Sequence, residues 1–233
     1  MYSYATRGWA SNNKQFDSEV HVEEQAEIPI LGMVWNCKSD TLLLKPFMGK
    51  GVINQKWVPT KRKILFLVVS NFDPLGLVYP VFVKSENFLQ VLWNEKVGWD
   101  DVLTPERATE AREILADFME IGQLKFKRGV VSENSELHDF CDASMKAYGG
   151  IAYARNVNGE TNLLTTKLRI TLIRNMLTIP RLELMVLLRA RLAKYLSYIF
   201  KFSKVTIWGD SKVAIAWVGS KIENKNTFIA NRA

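Results

Sequence analysis

Cysteine is scarce in this chain, and several common sequence features are missing. The two cysteines, Cys37 and Cys141, belong to no CxxC pair among the 233 residues. This spacing argues against a disulfide scaffold or a zinc site and favours a reducing compartment. No run approaches the roughly 18 apolar residues of a membrane span, and the N-terminus lacks the apolar core of a signal peptide. We therefore expect an intracellular protein, cytoplasmic or nuclear, with no membrane partner.

Signature motifs of several enzyme classes are missing as well. The chain has no Tyr-x-Asp-Asp or Phe-x-Asp-Asp of a polymerase, and Asp100-Asp101 lies beside a turn-like stretch. It has no Asp-Thr/Ser-Gly element of an aspartic protease, because Asp40 is followed by Thr-Leu. It also has no GxxxxGK(S/T) loop and no GxSxG elbow, and His21 and His138 are too far apart to suggest a Ser–His pair. Polymerase, protease and nucleotide-binding activities are thus unsupported.

Acidic residues are few in the C-terminal part. Residues 1–136 carry 16 Lys and Arg against 18 Asp and Glu, a net charge of −2, whereas residues 137–233 carry 15 against 6, a net charge of +9. Three of those six acids are the candidate site residues discussed below. This pattern suits a domain that binds a phosphate backbone and holds cations at one place. The alternative interpretation is a solvated basic surface.

Residues 1–126 are predicted to form a connector in two segments. The segment 1–59 is expected to be extended with a β-hairpin, because apolar runs at 30–36 and 40–45 are separated by polar turn residues. The segment 60–126 is predicted to be helical, with helices at 61–71 after the N-cap Thr60, at 81–96, and from Thr104-Pro105-Glu106, and with a turn at 73–76. Helical spacing assigns the core residues Phe82, Phe88, Leu89, Leu92, Trp93, Ala108, Ala111, Ile114, Leu115 and Phe118.

Residues 127–135 are polar and are predicted to be a linker to a domain at 136–233. The pattern of that domain is three strands followed by helix, strand and helix. The predicted ranges are 137–142, 148–155 and 162–167 for the first strands, 179–198 for the helix, 205–208 for the last strand and 211–218 for the last helix. A three-strand meander with later helix–strand–helix units indicates a mixed α/β sheet.

Asp142 and Asp210 end two of the predicted strands. Because side chains alternate along a strand, Asp142 shares a face with Phe140 and Asp210 with Trp208, and each acid is expected beside a buried aromatic residue. Two bland alternatives remain open. Asp142 would bond the backbone near Ser144 in a turn, and Asp210 would be the N-cap of the next helix.

Glu183 lies one turn into a strongly apolar helix. A buried carboxylate without a partner carries a desolvation cost of at least a few kcal/mol or stays protonated, and either Arg181 or a metal ion would relieve this cost. The alternative is an exposed position near Arg189 and Arg191 that the helix dipole favours. With Asp142 and Asp210, Glu183 makes up a candidate set of hard oxygen ligands for two divalent cations.

Motifs of several residues occur in order from about Trp9 to Arg232. In the C-terminal part they are Asp142-Ala-Ser144, Tyr148-Gly-Gly150, Thr178-Ile-Pro-Arg-Leu-Glu-Leu184, Ile207-Trp-Gly-Asp-Ser211 and Phe228-Ile-Ala-Asn-Arg232. Upstream they are Leu31-Gly-Met-Val-Trp-Asn36, Thr60-Lys-Arg62, Phe72-Asp-Pro-Leu-Gly-Leu77 and Gly98-Trp-Asp-Asp101. These motifs resemble the Pol polyproteins of Bel/Pao long-terminal-repeat retrotransposons, from the end of the reverse transcriptase palm through the ribonuclease H region. The family is often labelled Pao retrotransposon peptidase.

The resemblance implies a ribonuclease H-like mixed sheet after a thumb- or connection-like helical connector. It makes Asp142, Glu183 and Asp210 catalytic and metal-binding residues for two Mg2+ or Mn2+ ions. The implied substrate is the RNA strand of an RNA/DNA hybrid, and the candidate backbone contacts are Lys146, Arg155, Lys167, Arg169 and Arg174. A polymerase palm domain encoded upstream is a further candidate partner.

The family's fourth carboxylate is expected beyond Ala233, so the resemblance also implies a domain truncated at its C-terminus with impaired hydrolysis. Three hypotheses are left open on this basis. The first is an incomplete ribonuclease H-like endonuclease. The second is a non-catalytic nucleic-acid-binding or relic module, and the third is a structural helper that packs against a polymerase palm.

Overall fold

The described strands form two four-stranded sheets, and each sheet packs with helices. The computed structural model describes residues 27–47, 57–173, 177–187 and 190–219. The strands are β1 (Glu27–Ile30), β2 (Met33–Asn36), β3 (Thr41–Leu44), β4 (Lys125–Lys127), β5 (Glu136–Ala143), β6 (Ala147–Arg155), β7 (Thr161–Ile170) and β8 (Lys204–Trp208). The helices are α1 (Lys61–Ser70), α2 (Tyr79–Asn94), α3 (Pro105–Ile121), α4 (Ile179–Leu187), α5 (Ala190–Phe200) and α6 (Lys212–Gly219). None of these helices is long and apolar enough to span a membrane.

The first sheet is antiparallel, in the order β1-β2-β3-β4. It contains the predicted hairpin, β2 paired with β3. Leu31 and Gly32, with φ of 48° and 82°, form the tight turn before β2. Thr41 pairs with Lys127, so β4 includes the first residue of the predicted linker 127–135.

The connector helices follow the sequence signals closely. Thr60 caps α1 as predicted, its hydroxyl accepting a hydrogen bond from the Lys63 amide at 3.3 Å. Of the predicted core residues, all but two are buried, Leu115 being half-buried and Trp93 being 53% exposed. The prediction for Trp93 is wrong because the helix turns Leu92 inward and leaves the indole at the surface, where it contacts Trp99 edge-on.

The second sheet has the order β7-β6-β5-β8, with β5 and β8 parallel and the other pairs antiparallel. This is the mixed sheet that the sequence predicts, although β7 extends further at both ends than the predicted 162–167. The helix predicted at 179–198 corresponds to α4 and α5, and residues 188–189 between them lie outside the described residues.

The helices after β7 cover one face of this sheet. Leu137 and Ala152, which are fully buried, pack against Ala193 and Leu196 of α5. Leu184 of α4 packs in turn against α6. The opposite side of β5 therefore carries His138, Phe140 and Asp142, because side chains alternate along the strand.

A turn of the connector is fastened to β7. The Asp73 carboxylate accepts hydrogen bonds from the amides of Leu77 and Val78 at 2.9 and 2.8 Å and so closes the turn predicted at 73–76. The Leu75 carbonyl in this turn accepts a bond from the Thr166 amide at 3.1 Å. The domain boundaries at 59, 126 and 135 stay predictions, but the first sheet and α1–α3 share one hydrophobic core.

Candidate metal centre

Asp142 reaches the site from the end of β5, the strand between β6 and β8. Its exposed side chain follows His138 and Phe140 on the face that the helices leave open. Its Oδ1 accepts a hydrogen bond from the Ala143 amide at 2.7 Å. The following turn is closed instead by the Ser144 hydroxyl, which accepts bonds from the amides of Lys146 and Ala147, both at 3.2 Å. The turn therefore does not need the Asp142 carboxylate.

Asp210 lies two residues beyond the end of β8 and is exposed. The alternative that it caps the next helix is wrong. Ser211 holds that position, because its hydroxyl accepts a hydrogen bond from the Ala214 amide at 3.2 Å and its carbonyl accepts one from Ile215 at 3.0 Å. The Asp210 carboxylate is left available for the site.

Glu183 comes from α4 and is only 6% exposed. The helix begins after Thr178, whose carbonyl accepts hydrogen bonds from Arg181 and Leu182 at 2.9 and 3.0 Å, and Pro180 stands in its first turn. Leu182 and Leu184 on either side are buried too, so the alternative of an exposed position for Glu183 is wrong. The apolar faces of α4 carry this acid against the end of β5.

The structure brings all three predicted acids together. Asp142, Glu183 and Asp210 each offer a carboxylate oxygen, and these three oxygens lie within 4.8 Å of one another. Carboxylate oxygens at such separations are the ligands that Mg2+ and Mn2+ prefer. The donor set fits a divalent cation, while the catalytic role of the three residues stays a prediction.

Burial and repulsion act together on Glu183. Desolvation raises the pKa of its carboxyl, and the negative charges of Asp210 and Asp142 raise that pKa further. A backbone hydrogen bond from Ala143 acts in the opposite direction. A raised pKa means that the ionised carboxylate is disfavoured in this position, and a cation among the three acids reverses that preference.

The aromatic residues beside the acids differ from expectation. Phe140 and Trp208 were expected to be buried, yet they are 48% and 47% exposed. The reason is visible in the strand pattern, because Phe140 shares its face with the polar side chains of Glu136, His138 and Asp142 rather than with Leu137 and Cys141. Sequence reasoning therefore missed an open aromatic surface next to the site.

Gly149 is a second feature that the sequence did not assign. It faces Asp142 across the β5–β6 pair. A Cβ atom at this position would lie 2.3 Å from the Lys167 carbonyl oxygen and 2.7 Å from the Leu168 Cα of β7. Only glycine permits this approach, so the Gly-Gly pair after Tyr148 keeps β6 and β7 close beside the site.

The predicted basic residues divide into three groups. Lys146, Lys167 and Arg169 are exposed, and they lie on the β5–β6 turn or on the part of β7 opposite Tyr148 and Gly150. Arg155 is at the other end of β6, six residues from Gly149 and so roughly 20 Å along the strand. The structure does not bring Arg155 to the carboxylates, and Arg174 lies outside the described residues.

Fold comparison defines the class of the domain. The foamy viral protease–reverse transcriptase in complex with an RNA/DNA hybrid is similar in structure, with a TM-score of 0.51 and 15% sequence identity over 84% of this chain. The foamy viral protease–reverse transcriptase dRH in complex with double-stranded DNA gives a TM-score of 0.48 at 14% identity over 82% of this chain and 32% of that one. The fold of this chain is similar to that of the first of these structures.

A family model described as the Pao retrotransposon-like RNaseH-like domain matches residues 60–211. The chain belongs to this family. No curated protein sequence matches it. The chain spans 25% of the length of the foamy viral chain in the hybrid complex.

Proposed function

We propose that the ribonuclease H-like part of this chain hydrolyses the RNA strand of RNA/DNA hybrids with the help of two divalent cations, Mg2+ or Mn2+. The observation that carries the proposal is the meeting of Asp142, Glu183 and Asp210, whose carboxylate oxygens lie within 4.8 Å of one another at the end of the sheet. These residues are distant in sequence, and three separate elements bring them together.

The protein's own groups have distinct tasks in this proposal. Bound cations activate a water molecule and stabilise the leaving oxygen in phosphodiester hydrolysis. Asp142 and Asp210 are exposed and lie on the side of the site that the substrate would approach. Glu183 is buried and lies on the inner side of the site. Glu183 has to be ionised to serve as a ligand, and a bound cation would offset the burial and the neighbouring charges that raise its pKa.

The proposed nucleic-acid partner is supported by the positive charge of residues 137–233 and by the structural similarity to a foamy viral protein. Residues 137–233 carry a net charge of +9, and Lys146, Lys167 and Arg169 are exposed. Such residues bind phosphates without regard to sequence, as expected for a hybrid recognised by its shape and 2′-hydroxyl groups. The similar foamy viral protein is in complex with an RNA/DNA hybrid.

The test is cleavage of a labelled RNA/DNA hybrid with and without Mg2+. We expect Asp142→Asn and Asp210→Asn each to lower the rate at least about 100-fold, because each removes a charged ligand of the cations. Asp117→Asn is the matched control, since this exposed aspartate pairs with Lys84 in the connector and should leave the rate unchanged. Equal rates in all three variants would contradict the proposal.

The basic composition of residues 137–233 supports a second candidate, a nucleic-acid-binding module without turnover. Positive charge is sufficient for backbone binding and does not require the three acids. Hybrid binding that persists in wild type, Asp142→Asn and Asp210→Asn, with no cleavage by wild type in Mg2+ or Mn2+, would favour this candidate.

Exposed apolar side chains on the connector support a polymerase palm domain as a protein partner. Phe66 and Val69 of α1 are 53% and 68% exposed, and Phe47 lies edge-on to Phe66 at 5.9 Å between ring centroids. Apolar patches of this kind mark protein contacts. Phe66→Ser is expected to weaken association with an added palm domain of the family, whereas Met119→Ser on α3 is expected to leave it unchanged.

A further inference from the structure

Thr171 lies directly after β7 and is buried, with 5% of its surface exposed. Ala147 at the start of β6 pairs with Ile170, the last residue of β7, so Thr171 lies past the end of β6. The chain at Thr171 is therefore placed against the turn at 144–146 rather than against another strand. This is the turn between β5 and β6, and it begins two residues after Asp142.

The amide, the hydroxyl and the carbonyl of Thr171 all form hydrogen bonds. The amide donates to the Lys146 carbonyl at 2.9 Å, and the hydroxyl donates to the Ser144 carbonyl at 3.2 Å. The Thr171 carbonyl accepts a hydrogen bond from the side-chain amide of Gln90 at 3.0 Å. Gln90 belongs to α2, so one buried residue joins the connector to the turn beside the candidate metal centre.

The direction of the Asp142 carboxylate depends on the backbone at the end of β5. Asp142 is exposed, and an exposed side chain has few packing neighbours to fix it. Its Oδ1 accepts a hydrogen bond from the adjacent Ala143 amide at 2.7 Å, and the same amide bonds to Glu183. A movement of the backbone at 143–144 would therefore carry the Asp142 carboxylate away from the buried Glu183.

The hydrogen bonds within the turn close it without fixing its direction. The Ser144 amide and the Ser144 hydroxyl both donate to the Ala147 carbonyl, at 2.8 and 3.0 Å. These two bonds lie within four residues and would move together with the turn. The two bonds from Thr171 come from outside the turn, so they tie it to β7 and, through Gln90, to α2.

We propose that Thr171 and Gln90 are positioning residues for Asp142, and that the connector in this way supports cation binding without contacting the cation. Thr171 holds the turn at 144–146, and Gln90 holds Thr171. Removing a group that orients a metal ligand typically weakens metal binding by roughly 10- to 100-fold. The inference rests on the proposed function, because it takes the three acids as the cation ligands.

The experiment measures the Mn2+ affinity of the full chain by electron paramagnetic resonance, and the hydrogen exchange of the Ala143 amide in EDTA. Thr171→Val keeps the shape of the side chain and removes the hydroxyl. We expect it to weaken Mn2+ binding about tenfold and to speed exchange at Ala143. Gln90→Met should change both quantities in the same direction by a smaller factor, and Thr171→Ser, which keeps the hydroxyl, should behave as wild type.

Thr165→Val is the matched control. The Thr165 hydroxyl also bonds β7 to the connector, donating to the Leu75 carbonyl at 2.7 Å, but it lies six residues before Thr171 and so roughly 20 Å away along the strand. We expect this variant to lower the melting temperature and to leave the Mn2+ affinity and the Ala143 exchange unchanged. Equal effects of Thr165→Val and Thr171→Val on the Mn2+ affinity would overturn the proposal, because any loosening of the connector would then suffice.

Wild-type values of both quantities in folded Thr171→Val, or in Gln90→Met, overturn the proposal, and Gln90→Met decides if Thr171→Val does not fold. A loss in Thr171→Ser as large as that in Thr171→Val overturns it too, because the hydroxyl is then not the cause. If wild type binds no Mn2+, or if Asp142→Asn binds it equally well, the proposed function is contradicted. The exchange at Ala143 then decides alone whether Thr171 and Gln90 position Asp142, and unchanged exchange in both variants means that they do not.

Discussion

Glu183 links the chemistry of the site to the stability of the protein. Its folded-state pKa is raised, so the folded protein binds this proton more tightly than the unfolded chain does. The stability that this proton contributes is complete below the usual glutamate range, around pH 4–5, and is lost as the pH rises through the folded pKa. Near pH 7 and without a cation, the ionised Glu183 is therefore a source of instability.

Glu183→Gln is accordingly expected to raise the free energy of unfolding at pH 7 in EDTA, because the amide removes the buried charge and keeps the shape. At pH 4 most of this gain should disappear, since the wild-type carboxyl is then largely protonated in both states. Urea unfolding at the two pH values measures the difference. A gain of the same size at pH 4 would show that the charge of Glu183 is not its cause.

Added Mg2+ is expected to reverse the order of the two proteins. Wild type gains about 2.7 kcal/mol when the free ion is at 100 times its dissociation constant, and Glu183→Gln gains less because it lacks one ligand. Melting temperatures over a magnesium series provide the measurement, with Asp117→Asn as the control that should follow wild type. Parallel curves for all three proteins would argue against a cation at the three acids.

At the scale of single residues, the sequence predicts which residues form the candidate site better than it predicts which side chains are buried. The acids could be assigned because each ends an element or interrupts an apolar run, and the structure places their oxygens together. The exposure of Phe140 and Trp208 was not predicted, although the alternation with His138 in β5 contained the signal. What covers a sheet face is decided by distant helices, which local alternation does not describe.

At the scale of elements, the start of α6 shows that the helix N-cap is Ser211 and that Asp210 is a candidate metal ligand, whereas the sequence left both roles open for Asp210. Ser211→Ala is expected to lower the free energy of unfolding by about 1 kcal/mol, because the N-cap hydroxyl bond is lost. Asp210→Asn in EDTA should leave stability unchanged or raise it, since it removes one of three repelling charges. Chemical unfolding of both variants measures this contrast. A larger loss of unfolding free energy in Asp210→Asn than in Ser211→Ala would indicate that Asp210 caps the helix.

The longer elements were predictable and the shortest were not. Thr60 before α1, and Thr104-Pro105 before α3, carry capping and first-turn signals that act locally. β4 has only three residues, too few for any periodicity to be recognised, whereas the four-residue strands β2 and β3 were predicted from their apolar runs. β4 is a strand only because β3, more than 80 residues earlier, supplies its hydrogen-bonding partner.

In the molecule as a whole, Gly76 marks where the connector meets the second sheet. Its φ is +70°, and a Cβ atom there would lie 1.9 Å from the Thr166 carbonyl oxygen. Gly76→Ala is therefore expected to combine left-handed backbone strain, about 1–2 kcal/mol, with displacement of the turn from β7. Faster hydrogen exchange of the Thr166 amide, which donates to Leu75, would report that displacement directly.

Gly159→Ala is the matched control for this prediction. Gly159 has φ of +82° in the turn between β6 and β7, and the nearest atom to an added Cβ is the Arg155 side chain at 3.9 Å. It should share the backbone strain without the collision, and the Thr166 amide should keep its protection. Equal losses of stability in the two variants, with unchanged exchange at Thr166, would show that the connector is not held at this point.

The pairing of β4 with β3 has a practical consequence for anyone who divides this chain. The family match begins at residue 60, beyond β1–β3. A fragment that starts there lacks Met33, Trp35, Leu42 and Leu44, which bury themselves against the helices of the same core. It also leaves β4 as a strand with no neighbour on that side, a polar edge open to other copies. The boundary of the sequence family is thus not a place where the protein can be cut and still keep its interior.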